Sequence, residues 1–281
     1  MQTLRIYQSL WAMELRKPGV TEATMAENFQ YIATAGFDGV CLDPSVAEIE
    51  NYATVGTLCS QHNLDCMINA FPYESGDLSV LLKFAQEIHA TMVNVIGGIM
   101  PLTPAEAVPI VRRWLDDAAV FDLPLLFETH RDSLLNDLFF TLQLIALVPE
   151  MRLCADLSHF VVDRELRLPI PDADRDYIQT ILARSDCFQG RVASREQIQV
   201  QLDFPQHQPW VQVFRTWWKD GMRMWRKRND SDAELIFLCE LGPPPYAITD
   251  RHQNELSDRF AEALLIRQWV QEIWAELDAE E

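Results

Sequence analysis

Short apolar runs alternate with amphipathic stretches along the whole chain, and this alternation is the strongest structural signal in the sequence. Several runs are apolar at every position rather than at every second one, which is typical of parallel strands covered on both faces. Eight runs are predicted to be strands: Leu4–Leu10, Gly39–Leu42, Asp65–Ala70, Met92–Ile96, Pro124–Glu128, Arg152–Asp156, Cys187–Val192 and Leu235–Glu240.

The stretches between these runs carry helix signals. Thr21 is the predicted N-cap of a helix whose apolar face includes Phe29 and Ile32, and Gly36 follows its end. Further helices are predicted after Asp77, from Thr103-Pro104, over Leu134–Ile145, over Tyr177–Leu182 and over Glu255–Leu277.

Strands that alternate with helices in this way predict an α/β protein, and eight such pairs predict a (β/α)8 TIM barrel. We expect a single domain over residues 1–281. An open doubly wound sheet is the alternative. It is disfavoured because Ser9–Ala12 stands after the first strand, where that fold has a glycine-rich turn.

The longest connection lies between the seventh and eighth strands, over Ala193–Glu234. Its tryptophans, among them Trp210, Trp217 and Trp225, fall near helical spacing, and several Lys and Arg residues lie between them. The pattern predicts an amphipathic outer helix with a solvated basic face. A subunit interface or a wall facing the substrate would fit the same pattern, and the sequence leaves oligomerisation open.

The charge balance limits the classes of ligand. The chain has 23 Lys and Arg residues against 42 Asp and Glu, a formal net charge of −19, and 48% of its residues are hydrophobic. Nucleic acids and anionic membranes are bound through clusters of Lys and Arg, so we expect a small-molecule ligand instead. No apolar stretch approaches the ~20 residues that span a bilayer. Because the first residues also lack a signal-peptide pattern, we expect a cytoplasmic protein.

Cysteine usage agrees with that compartment. None of the six cysteines forms a C-x-x-C pair, and five of them fall in apolar runs, where a free cysteine acts as a small hydrophobic residue. We therefore expect reduced core thiols rather than disulfides or a zinc cluster.

Three acidic residues stand at the ends of predicted strands. Glu128 follows Leu-Pro-Leu-Leu-Phe, Asp156 follows Leu-Cys-Ala, and Glu240 follows Leu-Ile-Phe-Leu-Cys. The carboxyl ends of barrel strands converge on the face where active sites lie. Three carboxylates brought together there would repel one another unless a cation lay between them. The sequence therefore predicts a divalent-metal site.

Each acid taken alone has another explanation. Glu128 could pair with Arg131 and Asp156 with Arg191, because a buried carboxylate needs a cation or a strong donor. Three acids at three strand ends of one barrel favour a site over separate ion pairs. His159, three residues after Asp156, is then a predicted substrate contact.

Four stretches in order along the chain resemble a known family. They are Glu-Thr-His-Arg at 128–131, Asp-Leu-Ser-His at 156–159, Gln-Gly-Arg-Val at 189–192 and Glu-Leu-Gly-Pro-Pro-Pro-Tyr at 240–246. The chain resembles, over nearly its whole length, the sugar isomerase/epimerase superfamily with a xylose-isomerase-like barrel. The likeness is greatest to the "sugar phosphate isomerase/epimerase" branch of that superfamily.

The resemblance implies one divalent ion held by four residues from the fifth to eighth strands. Glu128, Asp156 and Glu240 match the family's acidic ligands, and Gln189 stands where the family has a metal-binding histidine. The resemblance also implies that Glu128 and Glu240 act as acid and base on opposite faces of the substrate. Substrate oxygens would be contacted by His159 and by Arg195 or Arg191, and His130 joins them as a candidate.

The implied chemistry is proton transfer next to a carbonyl through a metal-stabilised enediolate. An amide oxygen is a harder and weaker donor than an imidazole nitrogen. Gln189 therefore favours Mn²⁺ or Mg²⁺ over Zn²⁺ or Co²⁺, or else weakens the site. The predicted function is a metal-dependent isomerase or epimerase of a small sugar, sugar phosphate or polyol.

Two other functions remain open at this stage. A polyol dehydratase would use the same ion and the same proton abstraction. A non-catalytic carbohydrate-binding barrel with a degraded metal site is favoured by Gln189 and by the tryptophan-rich segment. An endonuclease-IV-like enzyme is disfavoured, since it needs several histidine ligands and a basic face. Arg131, Arg191 and Arg195 could hold a phosphate, but arginine alone does not establish one.

Overall fold

Parallel strands form a closed barrel in the computed structural model of the protein, which describes residues 1–74 and 76–280. Each strand pairs with the next, and the last strand returns to the first with Leu235 opposite Leu4. Within the described ranges there are eight strands: β1 Thr3–Ser9, β2 Gly39–Leu42, β3 Asp65–Ala70, β4 Val93–Val95, β5 Leu125–Glu128, β6 Leu153–Ala155, β7 Ser185–Gly190 and β8 Glu234–Cys239. The predicted (β/α)8 barrel is confirmed.

Helices surround the barrel. Those described are α1 Met25–Thr34, α2 Val55–His62, α3 Asp77–Glu87, α4 Pro104–Val120, α5 Leu138–Leu147, α6 Leu157–Asp163, α7 Asp172–Leu182, α8 Gln208–Arg228 and α9 Arg259–Asp278. Short 3₁₀ helices cover Trp11–Met13, Val46–Tyr52 and Pro205–His207. In the part of the chain that the structure covers, no helix is both long and apolar enough to cross a membrane.

Several helix starts differ from the prediction: α5 begins at Leu138 rather than Leu134 and α7 at Asp172 rather than Tyr177, and two further cases have a clear cause in their capping. The N-cap of α1 is Thr24 rather than Thr21, because the Thr24 hydroxyl accepts from the Glu27 amide while the Glu27 carboxylate accepts from the Thr24 amide. The closing helix begins at Arg259 rather than Glu255, with the Asp258 side chain accepting from two backbone amides of the first turn.

Side chains inside the barrel form two layers. The layer further from the carboxyl ends of the strands is a closely packed cluster of mainly apolar and thiol groups: Tyr7, Cys41, Met67, Met92, Leu126, Cys154, Cys187, Ile236 and Leu238. All six cysteines are free and buried, as predicted.

A polar layer lies above this cluster. Residues two apart on a strand point to the same face. On each strand, the residue two positions after the last side chain of this cluster therefore also points into the barrel, closer to the carboxyl end of the strand. Those positions are all polar: Ser9, Asp43, Asn69, Asn94, Glu128, Asp156, Gln189 and Glu240. We call these eight residues the polar layer, and it forms the floor of the site.

Helix α8 follows the prediction on its apolar face and departs from it on its basic face. Trp217, Trp218 and Trp225 are buried against the barrel and the neighbouring helix. The basic side chains are not simply solvated, because α9 supplies acidic partners one turn apart. The pairs are Arg215 with Glu272, Lys219 with Glu276 and Glu280, and Arg223 with Glu280.

Glu262 on α9 gives the protein a pH-dependent stability. Burial, opposed by the Leu202 amide that donates to it at 2.8 Å, raises the pKa of Glu262 to about 7. Since this pKa is raised on folding from 4.5, the stability due to Glu262 is present below pH 4.5 and is lost as the pH rises through 7. The free energy of unfolding of Glu262→Gln, relative to that of the wild type, should therefore increase by about 1–3 kcal/mol from pH 5 to pH 8. Urea titrations of both proteins measure this, and an equal difference at the two pH values would contradict it.

Candidate active site

A cavity of about 590 Å³ opens at the carboxyl ends of the strands. The polar layer forms its floor through Asp43, Asn69, Glu128 and Glu240, and loop residues form its walls. This is the face on which barrel enzymes build their active sites.

Three carboxylates predicted from the sequence meet on this floor. One carboxylate oxygen from each of Glu128, Asp156 and Glu240 lies within 4.8 Å of the other two, and all three side chains are buried. Gln189 lies beside them, and its Nε2 donates to Glu128 Oε2 at 2.7 Å. The structure thus brings together all four residues predicted as metal ligands.

Glu128 is only half satisfied by the protein. Its Oε2 accepts from Asn94 at 2.5 Å and from Gln189, whereas its Oε1 has no hydrogen-bond partner among the described residues. Gln189 Oε1 is buried without a partner in the same way. Burial, with Glu240 and Asp156 nearby, raises the pKa of Glu128 well above its usual range. Buried acceptor atoms without a partner create a demand for a cation or a donor.

Glu240 is held from two sides. Asn69 Nδ2 donates to its Oε1 at 3.2 Å, and Arg191 Nη2 donates to its Oε2 at 3.1 Å. Burial, opposed by Arg191, raises the pKa of Glu240 to about 8.

Asp156 is the most fully paired of the three acids. Its Oδ1 accepts from the Ser158 amide at 2.9 Å and from the Ser158 hydroxyl at 2.5 Å, and its Oδ2 accepts from Arg191 Nη1 at 2.7 Å. His159 Nε2 lies 3.4 Å from the same Oδ2. Burial alone would raise the pKa of Asp156, but Arg191 and His159 hold it well below its usual range.

Arg191 is fixed at the centre of the cluster, with 2% of its surface exposed. Besides its two carboxylate partners it donates from Nε to the Glu240 carbonyl at 3.0 Å. The aromatic rings of Trp11 and Tyr246 lie 5.8 and 4.9 Å from its guanidinium carbon. A planar cation packed against aromatic rings and bonded to two acids has little freedom to move.

The two predicted histidines pack against each other. His130 lines the cavity, whereas His159 is fully buried, and their ring centroids are 3.9 Å apart. Burial, with His159 alongside, lowers the pKa of His130 to about 3, so the ring is neutral at physiological pH. Nitrogen atoms of both rings also lie within 4.8 Å of a Glu128 oxygen, which makes a second group able to hold a metal ion.

Arg195 is not brought into the cluster. Its Nη2 pairs with Glu165 at 2.6 Å and its Nε with Glu196 at 3.6 Å, with 35% of the side chain exposed. Arg131 also departs from the ion pair considered for it with Glu128, since its guanidinium lies over the Tyr246 ring at 5.6 Å.

Four members of the polar layer were not predicted as site residues from the sequence: Ser9, Asp43, Asn69 and Asn94. Asp43 directly follows β2 and lines the cavity half-buried, and burial raises its pKa to about 7. Asn69 Nδ2 donates to Asp43 at 2.8 Å, and Asn94 Nδ2 donates to Asn69 at 2.8 Å. The signal was present, because each Asn interrupts an otherwise apolar strand, Met-Ile-Asn-Ala and Val-Asn-Val.

The donor set fits a hard divalent cation. Glu128, Gln189 and Glu240 offer carboxylate and amide oxygens, which are the ligands that Mg²⁺ and Mn²⁺ prefer. The unpaired Oε1 atoms of Glu128 and Gln189 supply acceptors that the described protein groups leave without a donor. These residues can therefore hold a metal ion, and the donor set alone does not identify which one.

Solved structures with a similar fold include xylose isomerase-like TIM barrel proteins. A protein of that description from Mycobacterium smegmatis, in complex with magnesium, is similar with a TM-score of 0.62 and 15% identity, covering 97% of each chain. D-allulose 3-epimerase from Methylomonas sp. is similar with a TM-score of 0.63 and 13% identity, covering 97% of this chain and 99% of that one. Another structure of that epimerase contains D-allulose.

A dehydratase shares the fold as well. The probable 3-DHS dehydratase AsbF of petrobactin synthesis, from Bacillus anthracis, is similar with a TM-score of 0.55 and 14% identity, covering 84% of this chain and 92% of that one. No protein-family model and no curated protein matches the sequence. The similarity to these structures confirms the predicted fold, and at these identities it establishes the fold alone.

Proposed function

We propose that the protein is a divalent-metal-dependent isomerase or epimerase of a small sugar or polyol. The observation that carries the proposal is the meeting of Glu128, Asp156 and Glu240 around unpaired acceptor oxygens on the barrel floor. Three buried carboxylates with one arginine between them cannot all be ionised without a further cation, and the raised pKa values of Glu128 and Glu240 express this; a divalent cation would take the place of their protons.

The ion would be held among Glu128, Asp156, Gln189 and Glu240. When bound, it would polarise neighbouring substrate oxygens and offset the negative charge that develops on them. The all-oxygen set of ligands favours Mg²⁺ or Mn²⁺. A similar barrel with magnesium bound is consistent with that choice.

Glu128 and Glu240 would carry the proton transfers. They reach the floor from β5 and from the end of β8, so a substrate carbon between them could lose a proton to one and regain it from the other. Their burial keeps water from competing for that proton. His130 and Arg191 line the cavity and could hold substrate hydroxyl or carbonyl oxygens, with His159 packed behind His130.

A dehydratase of a cyclic polyol is the second candidate. Its support is the likeness to a probable dehydratase with the same barrel. Both reactions begin with removal of a proton next to a carbonyl, and they differ in whether a hydroxyl group then leaves.

The test is a deuterium-exchange screen. Protein stripped with EDTA and reloaded with Mn²⁺ is incubated in D₂O with free sugars, sugar phosphates and inositols, and products are read by NMR and mass spectrometry. We expect Mn²⁺-dependent deuterium incorporation into a product isomeric with its substrate. A product lighter by one water would support the dehydratase instead. Absence of exchange from every compound, in protein shown to contain Mn²⁺, would contradict both.

A further inference from the structure

The acceptor oxygens of the cluster are unequally occupied. Asp156 accepts three hydrogen bonds and has His159 beside it, whereas Glu240 accepts one bond on each oxygen. Glu128 Oε1 and Gln189 Oε1 accept none from the described residues. The oxygens that are free to bind a cation therefore belong mainly to Glu128 and Gln189. Asp156, which follows β6, has the fewest free acceptor positions.

The donor responsible for this difference is Arg191. Its Nη1 is 2.7 Å from Asp156 Oδ2, and the same nitrogen lies 3.3 Å from His159 Nε2. A guanidinium keeps its charge at any pH at which the protein is folded. An ion binding to the same Asp156 oxygen would have to displace a short charged hydrogen bond and lie against a positive charge.

The surroundings of Arg191 make that displacement unfavourable. The Glu240 carbonyl fixes Nε, and the rings of Trp11 and Tyr246 pack within 6 Å of the guanidinium carbon. Moving the side chain aside would break these contacts together with both ion pairs. The guanidinium is therefore a built-in cation of the floor.

We propose that Arg191 and the divalent ion divide the carboxylates between them. Arg191 keeps Asp156, and the ion takes Glu128, Gln189 and Glu240. Asp156 is then a positioning residue that holds Arg191, and Arg191 lowers the affinity of the site for its ion. This inference rests on the proposed function only in requiring that the wild-type protein bind a divalent ion.

Mn²⁺ dissociation constants, measured by EPR of free Mn²⁺ and by calorimetry, test the division. Arg191→Met should tighten Mn²⁺ binding by about tenfold or more, because it frees Asp156 as a ligand and removes a charge. Asp156→Asn should change the constant by less than about fivefold, whereas Glu240→Gln should weaken binding by about 100-fold.

Arg131→Met is the matched control. It removes a positive charge from beside Tyr246 without freeing an oxygen of Asp156, and it should change Mn²⁺ affinity by less than about threefold. Equal tightening in Arg131→Met and Arg191→Met would overturn the proposal, since charge alone would then explain the effect. Weaker binding in Arg191→Met would overturn it too, as would a loss in Asp156→Asn as large as that in Glu240→Gln.

Folding is checked separately by circular dichroism. Arg191→Met leaves two buried acids without their arginine partner, so the melting temperature of its ion-free form should be below that of the wild type. Mn²⁺ should raise the melting temperature of this variant by more than that of the wild type. If Arg191→Met does not fold, the contrast between Asp156→Asn and Glu240→Gln decides the matter. A wild-type protein that binds no Mn²⁺ would instead overturn the proposed function, and this inference with it.

Discussion

Glu240→Gln is expected to lower metal-dependent turnover by about 10³-fold or more, the largest effect of any single substitution considered for this protein. The change removes a ligand charge and a proton-transfer group at once and keeps the shape of the side chain, although the single amide oxygen can accept from Asn69 or from Arg191 but not from both. The measurement is the rate of deuterium exchange into whichever sugar or polyol the screen identifies. Bound Mn²⁺ is determined in parallel by elemental analysis.

Glu262→Gln is the control for Glu240→Gln. It neutralises another buried carboxylate, on α9 outside the barrel rather than on its floor, and should leave turnover and Mn²⁺ content unchanged. Comparable turnover in Glu240→Gln and the wild type would show that Glu240 has no catalytic role.

Trp218→Ala is expected to lower the free energy of unfolding by about 3–5 kcal/mol. Trp218 is 1% exposed on α8, and its ring meets Phe237 of β8 edge-on with centroids 5.3 Å apart. Removing the indole leaves a cavity between helix and barrel that a closed sheet cannot collapse to fill. Equilibrium denaturation in urea, followed by circular dichroism, gives the value.

Trp269→Ala serves as the comparison for this substitution. Trp269 is half-buried on α9, with the Arg215 guanidinium 5.1 Å from its ring, so its loss should cost about 1 kcal/mol or less. Equal losses for the two tryptophans would mean that Trp218 does not join α8 to the barrel.

The barrel was predictable because its signals are local. Continuous apolar runs such as Leu235–Cys239 identify buried parallel strands, and the regular alternation with helices leaves few topologies. Helix starts were less predictable. Thr21 and Thr24 are both competent caps, and the choice falls to Thr24 because Glu27 lies three residues on and closes the capping box.

The candidate site was predictable in its acids and not in their pairing. Strand ends placed Glu128, Asp156 and Glu240 together, but an ion pair between Asp156 and Arg191 was an alternative to a metal site. The structure contains the Asp156–Arg191 ion pair and also brings the three acids together. Sequence could not reveal this, because which acid an arginine reaches depends on side-chain direction across neighbouring strands.

Asp43 is a site residue that was not predicted from the sequence. It follows the predicted strand Gly39–Leu42, but it lies in none of the four stretches that resemble the known family, so it was not identified. Only closure of the barrel brings it to Asn69, and through Asn69 to the side chain of Glu240.

Anomalous diffraction from crystals grown with MnCl₂ would locate the ion on the barrel floor. We expect one manganese peak about 2.0–2.4 Å from oxygens of Glu128, Gln189 and Glu240, with Arg191 still bonded to Asp156. No peak on the barrel floor, at a Mn²⁺ concentration that saturates binding in solution, would contradict the existence of the site.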